Sequence, residues 1–185
     1  NDLAKWAEEK GLEVAKPADT SELNRHLLAS QPQLIITCAY GRIIPVELLH
    51  GPRFGWINLH CSLLPKLRGA APVQWAILNG ETSTGFTVFK LDKGMDTGPI
   101  FAQQSITIDA SWRSFELLQQ LADLGPEVVQ RAFTMIENGR SAQLQVGSVS
   151  IAPKIDKAEA KIDFTKDAMH ISNCVRAFTY EPGAW

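Results

Sequence analysis

The sequence predicts an α/β fold in which helices flank a mainly parallel sheet. Helical and strand-like segments alternate along the chain and are joined by short links. Several strand-like segments are continuous apolar runs, which are typical of strands buried on both faces of a parallel sheet. In open α/β sheets, ligands bind beyond the carboxyl ends of the strands. We therefore expect the functional side chains at one rim of the sheet.

Each predicted element follows from local signals. Helices are expected where apolar residues recur every three or four positions, and they end at Gly or before Pro. Strands are expected where short apolar or alternating runs lie between turn residues. In the first half of the chain we predict a helix over 2–10, a strand over 12–17, a helix over 21–30, strands over 33–40 and 55–60, a helix over 72–80 and a strand over 84–91. In the second half we predict an antiparallel strand over 98–108, a helix over 114–138 with a possible break at Gly125 and Pro126, an extended linker over 139–164 and a helix over 167–178.

Composition limits the class of protein. A chain of 185 residues is long enough for one domain with a sizeable core. Its net charge of -2, without a block of like charges, does not indicate a strongly basic nucleic-acid binder, although local basic groups can still contact phosphate. No apolar run is long enough for a membrane helix. We expect a monomer that does not bind membranes.

The cysteines predict the compartment. Cys38, Cys61 and Cys174 are widely spaced and form no C-x-x-C pair, which favours free thiols in a reducing environment, and we predict the cytoplasm. Neither paired cysteines nor an H-E-x-x-H motif is present, so we expect no metal site. The glycine-rich motifs that hold dinucleotides or ATP are also absent.

Two polar residues on one strand are the main candidates for chemistry. Side chains two positions apart point to the same face, so Asn58 and His60 share one face while Leu59 and Cys61 share the other. Asp96 lies in KGMDTGP, the loop after the next predicted strand. If neighbouring parallel strands end at one rim, Asp96 could orient or charge His60 there.

An amide, an imidazole and a carboxylate suit acyl transfer to an amine. Asn58 and His60 can donate to an oxygen that becomes anionic, and Asp96 can accept a proton directly or through water. Cys61 and Ser62 are alternative nucleophiles, but Cys61 faces away from His60 and Ser62 lacks the G-x-S-x-G elbow. The alternative is that His60 has no functional role and only hydrogen-bonds a main-chain carbonyl at the end of its strand.

The segment NLHCSLLPKLRGAAPVQWAILNGETSTGFTVFKLDKGMDTGPI, residues 58–100, resembles the formyltransferases that use 10-formyltetrahydrofolate. Within that family, RGAAP at 68–72 and RAFTYEPGAW at 176–185 are most similar to the branch that formylates methionyl-tRNA. The resemblance implies a Rossmann-like catalytic domain over residues 1–140 that lacks the first strand, helix and strand of the family. Residues 141–185 would be a linker and lead-in to an absent C-terminal β-barrel domain.

The resemblance also implies residue roles. Asn58, His60 and Asp96 match the catalytic trio. A folate is expected in the cleft between the 39–45 stretch and the 62–65 loop, and the matching residues are Ala39, Tyr40, Gly41, Ile43, Ser62, Leu63, Leu64 and Pro65. Lys66 and Arg68 are either a solvated pair or contacts for the folate glutamate tail or RNA phosphate.

The implied reaction moves a formyl group from 10-formyltetrahydrofolate, a cosubstrate, to the amino group of initiator methionyl-tRNA and so supports translation initiation. Acceptor choice stays open at this point. The alternatives are a sugar-nucleotide formyltransferase, a formyltetrahydrofolate hydrolase, and a folate- or RNA-binding module without turnover.

Overall fold

A computed structural model describes residues 2–179 and 181–185; Tyr180, within the RAFTYEPGAW motif, lies outside the described residues. Helices and strands alternate through the first half of the chain, as the sequence predicts. The elements are α1 Asp2–Glu9, α2 Thr20–Ser30, β1 Ile35–Cys38, α3 Val46–Leu49, β2 Trp56–His60, α4 Pro72–Leu78, β3 Ser83–Lys90, β4 Ile100–Thr107, α5 Ser114–Glu137 and α6 Ala168–Ala177.

The sheet is mixed rather than mainly parallel. Over the described residues its strand order is β1-β2-β3-β4, with β1 and β2 parallel and the pairs β2/β3 and β3/β4 antiparallel. The α/β class is confirmed, and the expectation of a mainly parallel sheet is wrong for this part of the chain. An apolar run predicts burial on both faces, but it carries no information about the direction of its neighbour.

Helices cover both faces of the sheet. Ile57 of β2 and Val88 of β3 pack with fully buried Leu117 and Leu121 of α5 in the larger core, which also includes residues of α4 and α6. A smaller cluster on α3 and β2 packs against residues of α2. The side chains of Leu59 and Cys61 contact the larger core, as the strand alternation predicts.

Helix ends follow the capping signals. The Asp19 side chain accepts the Glu22 N–H at 2.8 Å and starts α2, and Asp167 accepts the His170 N–H at 2.8 Å and starts α6. An Asp at this position satisfies one of the N–H groups that have no partner inside the helix. The start of α2 is one residue earlier than predicted.

Two local predictions are wrong. No strand forms over 12–17, where the residues are mostly exposed. A short apolar run becomes a strand only when a neighbouring strand pairs with its main-chain N–H and C=O groups. The helix α5 continues through Pro126 instead of breaking there. Buried Leu121 and Val128 hold the two sides of Pro126 in the same core, which offsets the lost backbone hydrogen bond.

The segment after α5 is extended, as predicted, but it packs against the first part of the chain. Gln143 pairs with Ile100 in an antiparallel bridge, and Ile151 pairs with Arg68 in a parallel bridge. The domain boundary at residue 140 therefore stays a prediction, while the chain beyond it contributes main-chain contacts to the first part. None of the helices in the described part of the chain is both long and apolar enough to cross a bilayer.

Candidate active site

His60 is the last residue of β2, and its ring is only 6% exposed. Its Nε2 lies 2.9 Å from the carbonyl oxygen of Leu67, and its Nδ1 lies 3.7 Å from Asp96 Oδ2. Because a carbonyl oxygen can only accept, Nε2 carries a hydrogen and donates it to Leu67. Phe89 packs edge-on against the imidazole with 6.4 Å between ring centroids. The ring is thus fixed with Nδ1 towards the carboxylate.

Asn58 lies on the same face of β2 and is held by the neighbouring strand. The hydroxyl of Thr37, its register partner on β1, donates to Asn58 Oδ1 at 2.7 Å. This bond orients the amide, and within residues 2–179 and 181–185 no hydrogen bond engages Asn58 Nδ2. The Nδ2 group can therefore donate to an oxygen that gains negative charge.

Asp96 reaches the site by a route that the sequence did not predict. The carboxyl ends of β2 and β3 do not share a rim, because the two strands are antiparallel. Instead, the loop over 91–99 turns back, and Lys90 N–H donates to Pro99 O at 2.8 Å. A Cβ on Gly98 would lie 1.7 Å from Lys90 O, so only glycine permits this close turn.

The Asp96 carboxylate joins the two loops of the site. Its Oδ2 accepts the main-chain N–H of Gly69 at 2.8 Å, and the side chain is 14% exposed. The structure therefore brings Asp96 and His60 together, with Asn58 on the same face of β2. A free amide donor, an oriented imidazole and a carboxylate together can stabilise an oxyanion and accept a proton.

The loop over 62–65 is held by buried hydrogen bonds. Ser62 Oγ donates to Lys66 O at 2.6 Å, and Thr87 Oγ1 donates to Ser62 O at 2.7 Å. The N–H of Leu64 in turn donates to Thr87 Oγ1 at 3.1 Å. Ser62 is fully buried and its hydroxyl is engaged, which supports a structural role for it. Leu64 and Pro65 are buried and Leu63 is half-buried.

A pocket of about 340 Å³ lies beside this loop. It is lined by residues 63–67, by the residues around the start of β3, and by residues 146–148. The 39–45 segment does not contribute to this pocket. A folate cleft between 39–45 and 62–65 stays a prediction.

The 39–45 segment follows β1, whose end lies beside the end of β2 in the parallel pair. Ala39 and Gly41 are exposed, and Ala39 adopts a left-handed backbone with φ 49°. Tyr40 is also exposed, and Ile43 is 95% exposed. The segment begins directly after Cys38, which pairs with Leu59 in the register of β1 and β2.

The two basic residues have different surroundings. Lys66 is exposed, and its Nζ lies 3.6 Å from Glu81 Oε2, a surface pair of little energetic weight. Arg68 is half-buried, and its guanidinium donates to Gln145 Oε1. A substrate-binding role for either residue stays a prediction.

The cysteines are unsuited to nucleophilic attack at neutral pH. Burial, and to a smaller extent the nearby Cys38, raise the pKa of the Cys61 thiol to about 12. Burial also raises the pKa of Cys38 and of Cys174. Where the structure describes side chains, no group of three His, Cys, Asp or Glu residues is arranged to hold a metal ion.

Sequence reasoning missed Thr37, Gln145 and Ser150. Thr37 orients Asn58, Gln145 donates to the main chain of Asp96, and the Ser150 hydroxyl accepts the Leu67 N–H at 2.9 Å. Thr37 lies directly after an apolar pair in a predicted strand, which is a weak signal of a polar role on one face. Gln145 and Ser150 lie in the predicted linker, where no local pattern distinguishes them.

Comparison with known proteins places this geometry in a family. Residues 2–133 match the family model described as formyl transferase. The chain belongs to the formyl transferase family. Residues 154–185 match the model described as formyl transferase, C-terminal domain.

Relatives in the formyl transferase family extend the comparison. The chain is 40% identical over 188 residues to a methionyl-tRNA formyltransferase of Salinispora arenicola, covering 99% of this chain and 61% of that protein. A 4-N formyltransferase from Francisella tularensis has a TM-score of 0.80 at 22% identity, over 98% of this chain and 74% of that one. HypX from Aquifex aeolicus in complex with tetrahydrofolic acid has a TM-score of 0.78 at 23% identity, over 96% of this chain and 31% of that one. The Rossmann-like formyltransferase fold is confirmed, and the chain spans about 61% of its Salinispora relative.

Proposed function

We propose that the complete protein transfers a formyl group from 10-formyltetrahydrofolate to the amino group of initiator methionyl-tRNA, and so acts in translation initiation in the cytoplasm. The observation that carries the proposal is the meeting of His60 Nδ1 and Asp96 Oδ2 at 3.7 Å, on the strand face that also bears Asn58. The 40% identity to a methionyl-tRNA formyltransferase supports the choice of acceptor.

The reaction exchanges one C–N bond for another. The uncharged amine of the acceptor attacks the formyl carbon, and the formyl oxygen gains negative charge. Asn58 Nδ2 can donate to that oxygen, because Thr37 already occupies Asn58 Oδ1. When the imidazole of His60 is protonated, its Nδ1–H is the second donor, since Nε2 is engaged by Leu67.

Collapse of the tetrahedral intermediate breaks the bond between the formyl carbon and the folate nitrogen. The attacking nitrogen loses a proton and the departing folate nitrogen gains one, so the overall transfer needs no further reactant. Asp96 Oδ2 is the nearest carboxylate oxygen to His60 and can accept the amine proton. The loops hold these groups before substrate binds, which lowers the cost of orienting them.

An acceptor competition tests this proposal. The complete natural protein is given labelled 10-formyltetrahydrofolate with initiator methionyl-tRNA, with an amino-sugar nucleotide, or with no acceptor. We expect label in the tRNA fraction. Label in the sugar nucleotide would indicate a sugar formyltransferase, release of formate without acceptor would indicate a hydrolase, and folate binding without turnover would indicate a binding module.

A further inference from the structure

Gln145, in the extended segment after α5, links two loops of the candidate active site. Its Nε2 donates to Asp96 O and Gly98 O, each at 2.8 Å. Its Oε1 accepts from Arg68 Nη2 at 2.6 Å and Nε at 3.2 Å. A main-chain carbonyl can only accept and a guanidinium can only donate, so this amide has one orientation. The side chain therefore ties the Asp96 loop to the loop that follows β2.

Asp96 depends on such support because its backbone is in the left-handed region, with φ 54°. L side chains rarely adopt this conformation, and without outside contacts the residue would favour another one. The Oδ2 atom of the same residue accepts from Gly69 and faces His60. A change in the Asp96 main chain would therefore alter the distances from Asp96 Oδ2 to the Gly69 nitrogen and to His60 Nδ1.

The same segment supports the imidazole. The Ser150 hydroxyl accepts the N–H of Leu67, which also has a left-handed backbone with φ 57°, and Ser150 O accepts the N–H of Arg68. Leu67 O is the group that accepts from His60 Nε2. Residues 145–152 thus fix the main chain beside both reactive side chains.

We propose that Gln145 is a positioning residue for formyl transfer, which holds the Asp96 main chain so that the carboxylate faces His60. The inference rests on the proposed function. Gln145 acts through Asp96 and has no assigned contact with the reacting atoms. Gln145 differs from a surface contact because its Nε2 and its Oε1 are both hydrogen-bonded to residues in loops of the site.

Substitution of Gln145 in the complete natural protein separates positioning from simple stability. Gln145→Glu keeps an oxygen towards Arg68 but places a second oxygen against the carbonyls of Asp96 and Gly98, and Gln145→Ala removes all of these bonds. We expect kcat to fall about 10²-fold, as for a misplaced catalytic group, with little change in the KM for folate. The matched control is Gln143→Ala, because the exposed Gln143 contacts Ile100 through its main chain.

Amide hydrogen exchange supplies a readout that needs no turnover. The Gly69 N–H is bonded to Asp96 Oδ2, so its exchange should become faster in both Gln145 variants. Amides in the centre of β3 should keep the parental rate, as should Gly69 in Gln143→Ala. Melting temperatures measured on the same preparations report any general loss of stability.

The kcat values, the exchange rates and the melting temperatures together support or overturn the positioning role of Gln145. Faster exchange at Gly69 with a lower kcat and an unchanged β3 supports the proposal. Parental kcat and parental Gly69 exchange in both variants overturn it, and so does a uniform rise in exchange with a lower melting temperature, which indicates a structural role. If the parental protein formylates no acceptor, the proposed function fails, while the Gly69 exchange still decides whether Gln145 positions Asp96.

Discussion

The main-chain N–H of Gly69 donates to Asp96 Oδ2 at 2.8 Å, and this bond joins the loop after β2 to the loop after β3. The same oxygen lies 3.7 Å from His60 Nδ1. A carboxylate that is held by one backbone donor keeps lone pairs for a second donor. Asp96 can therefore be anchored and still take part in proton transfer.

Asp96→Asn should keep the fold and folate binding but remove most of the turnover. Asn is nearly isosteric and its Oδ1 can still accept from Gly69, whereas the charge and the proton acceptor are lost. We expect kcat to fall about 10²–10⁴-fold with an unchanged KM for folate. Rate and melting temperature are measured on one preparation, with Asp92→Asn in the same loop as the control. A variant with half the parental kcat would remove Asp96 from the mechanism.

Asn58→Ala should lower kcat by about 10²–10³-fold, the usual cost of one lost oxyanion donor. Thr37→Val tests the orientation of the same amide, because it removes the hydroxyl that donates to Asn58 Oδ1. We expect an intermediate loss for Thr37→Val and recovery in Thr37→Ser, measured as kcat. If Thr37→Val and Thr37→Ser behave alike, the hydroxyl does not orient Asn58.

Gly69→Ala should destabilise the protein by about 1–3 kcal/mol. The residue has φ 123°, and an added Cβ would lie 2.5 Å from Ala152 O, a backbone atom that cannot rotate away. Urea denaturation gives the free energy of unfolding. Gly41→Ala is the stability control, because a Cβ added at Gly41 would meet no atom within 4 Å and the φ of Gly41 is not positive. Equal stabilities of the two variants would contradict the strain argument.

Cys61 should resist alkylation at pH 8. Its pKa of about 12 leaves the thiol protonated at this pH, and since the thiolate is the reactive form, its reactivity should rise only as pH approaches that value. The rate with iodoacetamide is followed by mass spectrometry of the Cys61 peptide in folded and urea-unfolded protein. We expect much slower reaction in the folded state. Rates within about threefold of each other would show that burial does not suppress the thiolate.

Binding of 5-formyltetrahydrofolate should release or absorb heat and protect residues 39–45 and 62–65 from amide exchange. The apolar side chains and main-chain groups of these segments suit a flat ring with hydrogen-bonding edges. Protection of 146–148 together with 63–67 would instead locate the ligand in the pocket beside β3. Absence of both heat and protection in the complete protein would exclude a folate site here.

Local sequence determined the elements and the identity of the candidate side chains. The capped helices α2 and α6 and the strand β2 follow from short-range signals, since capping and alternation depend on residues within a few positions. The spacing of Asn58 and His60 fixes their common face once β2 forms. The motif around them also indicated the family, which the match over residues 2–133 confirms.

The antiparallel direction of β4 was predicted from the sequence, whereas only the tertiary structure decided the direction of β3 and the support of the site. An apolar pattern is the same in parallel and antiparallel strands, so the antiparallel pairing of β2 with β3 depends on how the connection over 61–82, which includes α4, brings the chain back to the sheet. The bonds from Gln145 to Asp96 and Arg68 cross 49 and 77 positions of the chain. Contacts between residues so far apart in the chain form because the core fixes both segments. Local propensities depend only on nearby residues, so they do not predict these contacts.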